Sequence, residues 1–351
     1  MTQQKDIDIA KVTKVIMETM FQVKVGESVA ITIDTETDPD IADGFYTATA
    51  NAGGIPMIIK APKGRADGQE GMAEWPAKAM TAALCEVDIW IELNSTIILY
   101  SNIWETAMAE NKKLRYLILA STPVDSMVRV FTGYDVPKLG ELLEKVKTMA
   151  EGTKKIRITS KNGTDVTYET DLNYFFDYDS GDFSKPKFGT APGYVNIVPK
   201  LNSMNGKIVF DVLMHSDSYG EKVSFDMKDG SIIKVSGGQK GEKFSQYLSD
   251  FDDPNMYKIS HNMIGLNPSI RSLSGDIVED ERIWGGVDFG FGHTSPLDMP
   301  PLGQPAKSHF DGVVAKATIY LDEQKIVDNG DVCHPDLKGL ADELLGATLA
   351  T

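Results

Sequence analysis

The sequence predicts two joined domains: an α/β domain around a mostly parallel sheet over residues 1–152, and a strand-rich α+β domain over residues 153–351. Three observations predict it. The chain has 351 residues, beyond the size at which one hydrophobic core stops growing. Up to residue 152, β-branched runs alternate with apolar residues at helical spacing, the pattern of a parallel sheet covered by helices. From Lys155 the texture changes to alternating runs joined by turn dipeptides, which argues for antiparallel pairing.

Taken in order, Ile9, Val12, Val15, Ile16 and Met20 fall at helical spacing and predict an amphipathic opening helix over residues 8–21. Residues 27–34 read ESVAITID, a strand introduced by Gly26 and ended by the acidic loop TETDPD. A helix over 41–52 stops at Gly53-Gly54, IPMIIKA gives a second strand, 77–86 a helix and VDIWIEL a third strand. A helix over 103–111 leads to the strand LRYLILA, and KLGELLEKVKTMAEG closes the domain as a helix ended by Gly152. KIRITSKNGTDVTYET then reads as a hairpin whose Asn162-Gly163 favours a primed two-residue turn. Further hairpin-like runs follow at KIVFDVLM, EKVSFDMKDGSIIKVS and VAKATIYLDEQKIVDNG.

A net charge of −16, from 51 acidic against 35 basic side chains, repels phosphate backbones and anionic lipid, so neither nucleic acid nor membrane is an expected partner. Cys85 and Cys333 lie in no C-x-x-C pattern and read as packing thiols in a reducing compartment. The N-terminus is polar and mixed in charge, and no run of about 18 apolar residues occurs, so the cytoplasm is the expected location.

Of five histidines, His261, His293 and His309 fall within the glycine-rich stretch 260–312. Alternate residues of a strand face the same side, so in Ser308-His309-Phe310-Asp311 the imidazole and carboxylate can converge on one ion. Such a pair also occurs as a plain hydrogen-bonded couple. His261, in ISHNMIGLNP, is the best third candidate, because Gly265 and the Asn267-Pro268 turn suggest a loop folding back over a site. Glu281 precedes an apolar strand in which Asp288 stands among Val287, Phe289 and Phe291. A carboxylate in that company is a ligand or a proton carrier, since desolvation raises its pKa unless a cation holds it ionised. Two imidazoles with carboxylates suit Fe(II), Mn(II) or Zn(II). His293, between Gly292 and Thr294, stands either near substrate or merely in solvent, and His215 and His334 read as structural. Tyr100, just past a strand-like run, either handles a proton or packs at an interface.

The succession HNMIGLNP, ERIWGGVDFGFG and SHFD resembles the metal-binding half of the aminopeptidase T family and its relative, 2,5-dihydroxypyridine 5,6-dioxygenase, over roughly residues 180–320. Against the peptidases, Glu281, His309 and Asp311 match ligand positions, whereas His261 stands where a glutamate is expected and Asp288 where a histidine is. A histidine at 261 matches the dioxygenase, in which two histidines and an aspartate hold iron. Tyr100 takes the place of that branch's proton-handling histidine.

The expectation is a homo-oligomeric metalloenzyme acting on a small, cyclic, oxygen-rich substrate. Hydrolytic ring opening is placed first. There His261, Glu281, His309 and Asp311 hold Mn(II) or Zn(II), Asp288 is the base, Tyr100 the proton donor, and His293 a further catalytic candidate. Oxidative ring cleavage is placed second, with Fe(II) on the same set and substrate chelating through adjacent oxygens; an aminopeptidase is third.

Overall fold

The structure, a computed structural model, describes residues 2–64, 71–216 and 222–348. The chain divides into two compact units, 1–132 with 181–192, and 133–180 with 193–351. Among the described residues no helix is long and apolar enough to cross a membrane.

The first unit is built on five parallel strands in the spatial order Ile55–Lys60, Ser28–Ile33, Ile89–Glu92, Arg115–Ile118 and Lys187–Gly189. Helix–strand alternation produces this sheet because a right-handed crossover returns each helix to its face. The four strands read from the sequence are all present; the fifth is supplied by the segment returning at 181–192. The opening helix begins earlier than expected, at Thr2, and after Lys14 widens to a π-turn over Val15–Met20, with Phe21 N–H bonded to the Ile16 carbonyl at 2.8 Å. Two carboxylates at the ends of the central strands hold the loop between them. Asp34 accepts Ser95 Oγ and Thr96 N, both at 2.8 Å, while Glu92 accepts Ile98 N and Tyr116 Oη, both at 2.6 Å. Burial would raise Asp34, but its hydrogen bonds prevail and keep it below the usual carboxylate range. Glu92 is wholly buried, and desolvation pushes it up to about 7 against those same kinds of bond.

The second unit contains two antiparallel sheets, of eight and six strands, that share one hydrophobic core. Phe225 of the larger sheet meets Phe291 of the smaller edge-on at 5.4 Å, and Phe244 of helix Gly238–Asp250 closes on Phe310 at 5.2 Å. The sequence put the boundary at 152, whereas helix Val136–Glu151 belongs to the second unit. The reason lies in its apolar stripe, because Leu139, Leu142, Leu143, Val146 and Ala150 are buried in that unit's core. The turn expectation is also corrected. Lys155–Thr159 and Asp165–Glu169 do pair as a hairpin, but through five residues with only Gly163 at positive φ. Asn162 instead spends its side chain on Thr164 N at 3.0 Å and the Val209 carbonyl at 2.7 Å. The primed turn occurs at Asp229-Gly230, where both φ angles are positive and Lys228 pairs with Ser231. Glu221, the first residue of that predicted run, lies outside the described residues.

Glu92 generates a pH dependence. Below its ordinary value of 4.5 the carboxyl is neutral in folded and unfolded chains alike; between 4.5 and about 7 only the folded chain holds the proton. Its contribution is therefore full in acid and lost as pH rises through about 7. Denaturant unfolding of the wild type should lose up to about 3 kcal/mol between pH 5 and 8 that Glu92→Gln does not lose. Parallel pH curves for the two proteins would contradict this.

Candidate metal centre

Strands Ile259–Gly265, Gly286–Thr294 and Gln304–Val314 lie side by side in the six-stranded sheet. Alternation sends Val287, Phe289, Phe291 and Phe310 into the core and turns Asp288, Gly290, His309 and Asp311 to the opposite face. Asp288 is therefore not a carboxylate inside a phenylalanine cluster; its apolar neighbours in sequence face the other way.

His261 reaches the same face through a β-bulge. Ile259 pairs with Phe291 and sits in the core, yet His261 pairs with Gly290, so Ser260 is an extra residue that reverses the alternation. His261, Gly290 and Asp311 then form one row across three strands. Gly290 is required there. A Cβ at this position would lie 2.3–2.7 Å from three atoms of the His261 ring.

The donor atoms converge. His261 Nε2 lies 3.1 Å from Asp288 Oδ2 and 3.5 Å from Asp311 Oδ1, and His309 Nε2 lies 3.0 Å from Asp311 Oδ1. The two imidazoles stack at 5.2 Å. His261, His309 and Asp311 each offer one atom within 4.8 Å of the others, and so do Glu281, Asp288 and Asp311. Glu281 follows the short helix Ile277–Asp280, whose first turn is capped by Asp276, and its carboxylate pairs with the Arg282 guanidinium. Arg282 also lies over the Tyr194 ring, 5.0 Å from its centroid.

Three buried carboxylates so close together repel one another. Burial pushes Glu281 up to about 8 against the charge of Arg282, with Asp311 and Asp288 adding to the rise. Burial, reinforced by Asp311, holds Asp288 well above the usual range. Burial would raise Asp311 too, but the adjacent His309 outweighs it and keeps Asp311 low. His309 is pushed up to about 9, because the charge and hydrogen bond of Asp311 overcome its own burial. His261 is lowered by burial. Asp288 Oδ1 is buried without a hydrogen-bond partner, a costly state for a polar atom. A divalent cation fits this set. His261, His309 and Asp311 would hold it, and its charge would relieve the repulsion among the carboxylates. Two imidazoles and a carboxylate suit iron, manganese or zinc.

The remaining sequence candidates divide. His293 contributes its backbone carbonyl, which accepts His309 Nδ1 at 2.9 Å, while its half-buried imidazole is lowered by burial and by His309. Tyr100 belongs to the first unit, at a left-handed φ of 63°, with its ring edge-on to Trp104 at 5.3 Å. His215 stacks on Tyr247 and His334 accepts Asp336 N, structural roles both. Sequence reasoning missed Arg282, although it is the one cation in VEDERIW, and it missed Asp298. That half-buried carboxyl, raised by desolvation, feels the charges of both His261 and His309. No local signal marked it.

The fold and this cluster define a two-unit protein with a candidate site of the two-histidine, one-carboxylate kind. The chain belongs to the 2,5-dihydroxypyridine 5,6-dioxygenase (NicX) family, whose model matches residues 11–334. A curated 2,5-dihydroxypyridine 5,6-dioxygenase from Pseudomonas putida KT2440 is 24% identical over 236 residues, 63% of this chain and 65% of that relative's length. The solved structure of the Pseudomonas putida KT2440 dioxygenase superposes with a TM-score of 0.81 at 19% identity, covering 95% of this chain and 99% of that one. Wild-type AmpT from Thermus thermophilus superposes at 0.67 with 12% identity, covering 93% and 99%. These superpositions establish a shared fold. The family match favours the oxidative reading, placed second from the sequence, and lends no support to hydrolytic opening of a cyclic substrate.

Two substitutions test the centre. His309→Ala should lower bound divalent metal at least tenfold in elemental analysis while leaving the first unit folded; unchanged metal content would remove His309 from the site. Gly290→Ala should displace the His261 ring and weaken metal binding to a similar degree, and wild-type affinity in that variant would show that the row of three is not needed.

Proposed function

We propose that this chain is a non-haem Fe(II) dioxygenase that cleaves the ring of a hydroxylated pyridine or related aromatic. The observation that carries the proposal is the convergence of His261, His309 and Asp311 on one face of the sheet in a chain of this family. Iron bound there would supply coordination of a ring oxygen and activation of dioxygen.

The chain's own residues have separable tasks. His261, His309 and Asp311 would hold the ion, since two imidazoles and a carboxylate suit iron better than the oxygen-only set of Glu281, Asp288 and Asp311. Arg282 pairs with Glu281, and its charge would offset that carboxylate's own when an ion is bound. Asp288 is the proposed proton carrier. Burial raises its pKa and a nearby divalent charge would lower it, so binding of the ion would let this carboxyl release or take a proton. The His293 imidazole, its pKa lowered by burial and by His309, is the second proton acceptor proposed for the site. Asp298 is the proposed acceptor for a ring N–H or O–H at the margin.

The protein reconstituted with Fe(II) under argon should be inert toward 2,5-dihydroxypyridine and should consume one O₂ per ring on admission of air, with both atoms of ¹⁸O₂ recovered in the product. Turnover under nitrogen with Mn(II) would sink the proposal and return the hydrolytic reading. A panel of dihydroxylated pyridines and benzenes then defines the ring.

A further inference from the structure

The bulge residue Ser260 is buried, 2% exposed, and its hydroxyl stands at the centre of a closed set of hydrogen bonds. Ser260 Oγ donates to the His293 carbonyl at 3.0 Å, and Thr294 Oγ1 donates to Ser260 Oγ at 2.7 Å. The second lone pair of that same carbonyl takes His309 Nδ1 at 2.9 Å. Gln304 Nε2 closes the far side, bonding the Gly292 carbonyl at 2.7 Å and the Ile259 carbonyl at 3.3 Å. Both strand irregularities, at 259–261 and 292–294, fall inside this set.

We infer that Ser260 is a positioning residue that couples the two histidines of the candidate metal centre. Its backbone is the extra residue that turns His261 toward the site, and its hydroxyl fixes the carbonyl that orients His309. With Nδ1–H committed to that carbonyl, Nε2 is the ring atom left to face Asp311 and an ion, and the ring cannot rotate without leaving a buried acceptor half-satisfied. Groups behind a ligating imidazole set its orientation and basicity, and their loss typically costs 10–100-fold in metal affinity. A mere fastener for two irregular strands would act differently, because removing either hydroxyl of the Ser260–Thr294 pair would then cost stability alike and leave metal affinity alone.

This inference rests on the metal reading of the site and is independent of the reaction run there. The test uses the full chain, with Zn(II) and Co(II) as probes in chelator competition, the Co(II) visible spectrum as a report of ligand geometry, and thermal melting as the control for folding. Ser260→Ala should weaken both ions about 10–100-fold and alter the Co(II) spectrum. Ser260→Thr, which keeps a hydroxyl, should return affinity to within about threefold of wild type, and Thr294→Val, which leaves the Ser260–His293 bond in place, should weaken it far less than Ser260→Ala. Affinity for Ser260→Ala within twofold of wild type, or equal losses in the serine and threonine variants, would overturn the inference. Should Ser260→Ala fail to fold, Ser260→Cys, with its poor donor, takes its place under the same criteria. Metal binding that follows this order without oxygen consumption would leave the inference standing and remove the dioxygenase proposal; a wild type that binds neither ion would remove both.

Discussion

Three carboxylates, those of Glu281, Asp288 and Asp311, are buried within reach of one another, and the second unit is arranged around the repulsion this creates. Asp311 is held low by the His309 imidazole beside it; Glu281 is met by Arg282; Asp288 is left with an oxygen that has no hydrogen-bond partner. A folded chain does not keep such a cluster for stability, since apolar replacements of the same volume are usually neutral or better. The proposed cation and proton carrier would give it a reason.

The backbone makes the cluster possible in two ways that depend on each other. Gly290 opens the space that the His261 ring occupies, and the bulge at Ser260 aims the ring into that space. Neither device serves without the other. Directly behind them, Asn262 fixes the Asp288 segment from the core side, with Nδ2 on the Asp288 carbonyl at 2.6 Å and Oδ1 taking Tyr168 Oη at 2.8 Å. The phenylalanines on the core face keep these strands rigid, which a site of this kind needs.

The first unit shows the same chemistry put to a different use. Asp34 and Glu92 end neighbouring parallel strands where the strand order reverses, and both fold their carboxylates over the loop that leads to Tyr100. Hydrogen bonds move one below the usual carboxylate range and burial moves the other above it, so the two like groups titrate apart.

The sequence by itself determined the alternation that builds a parallel sheet, the change of texture after Lys155, the His309-x-Asp311 pair and the anomaly of Asp288, because each is a matter of residue type at spacing two or at helical spacing. Only the tertiary structure decided the rest. The helix at 136–151 is amphipathic wherever it docks, so its assignment to the second unit followed from which core had room for its leucines. Asn162-Gly163 and Asp229-Gly230 are alike in sequence, and only the first lies where the Val209 carbonyl draws its side chain away from a tight turn. His261 faces the site because one extra residue reverses a strand, and a reversal of that kind leaves no trace in a pattern read two residues at a time. The sequence placed hydrolysis ahead of oxidation although both chemistries draw on the same imidazoles and carboxylates; family membership, a property of the whole chain, reverses that order.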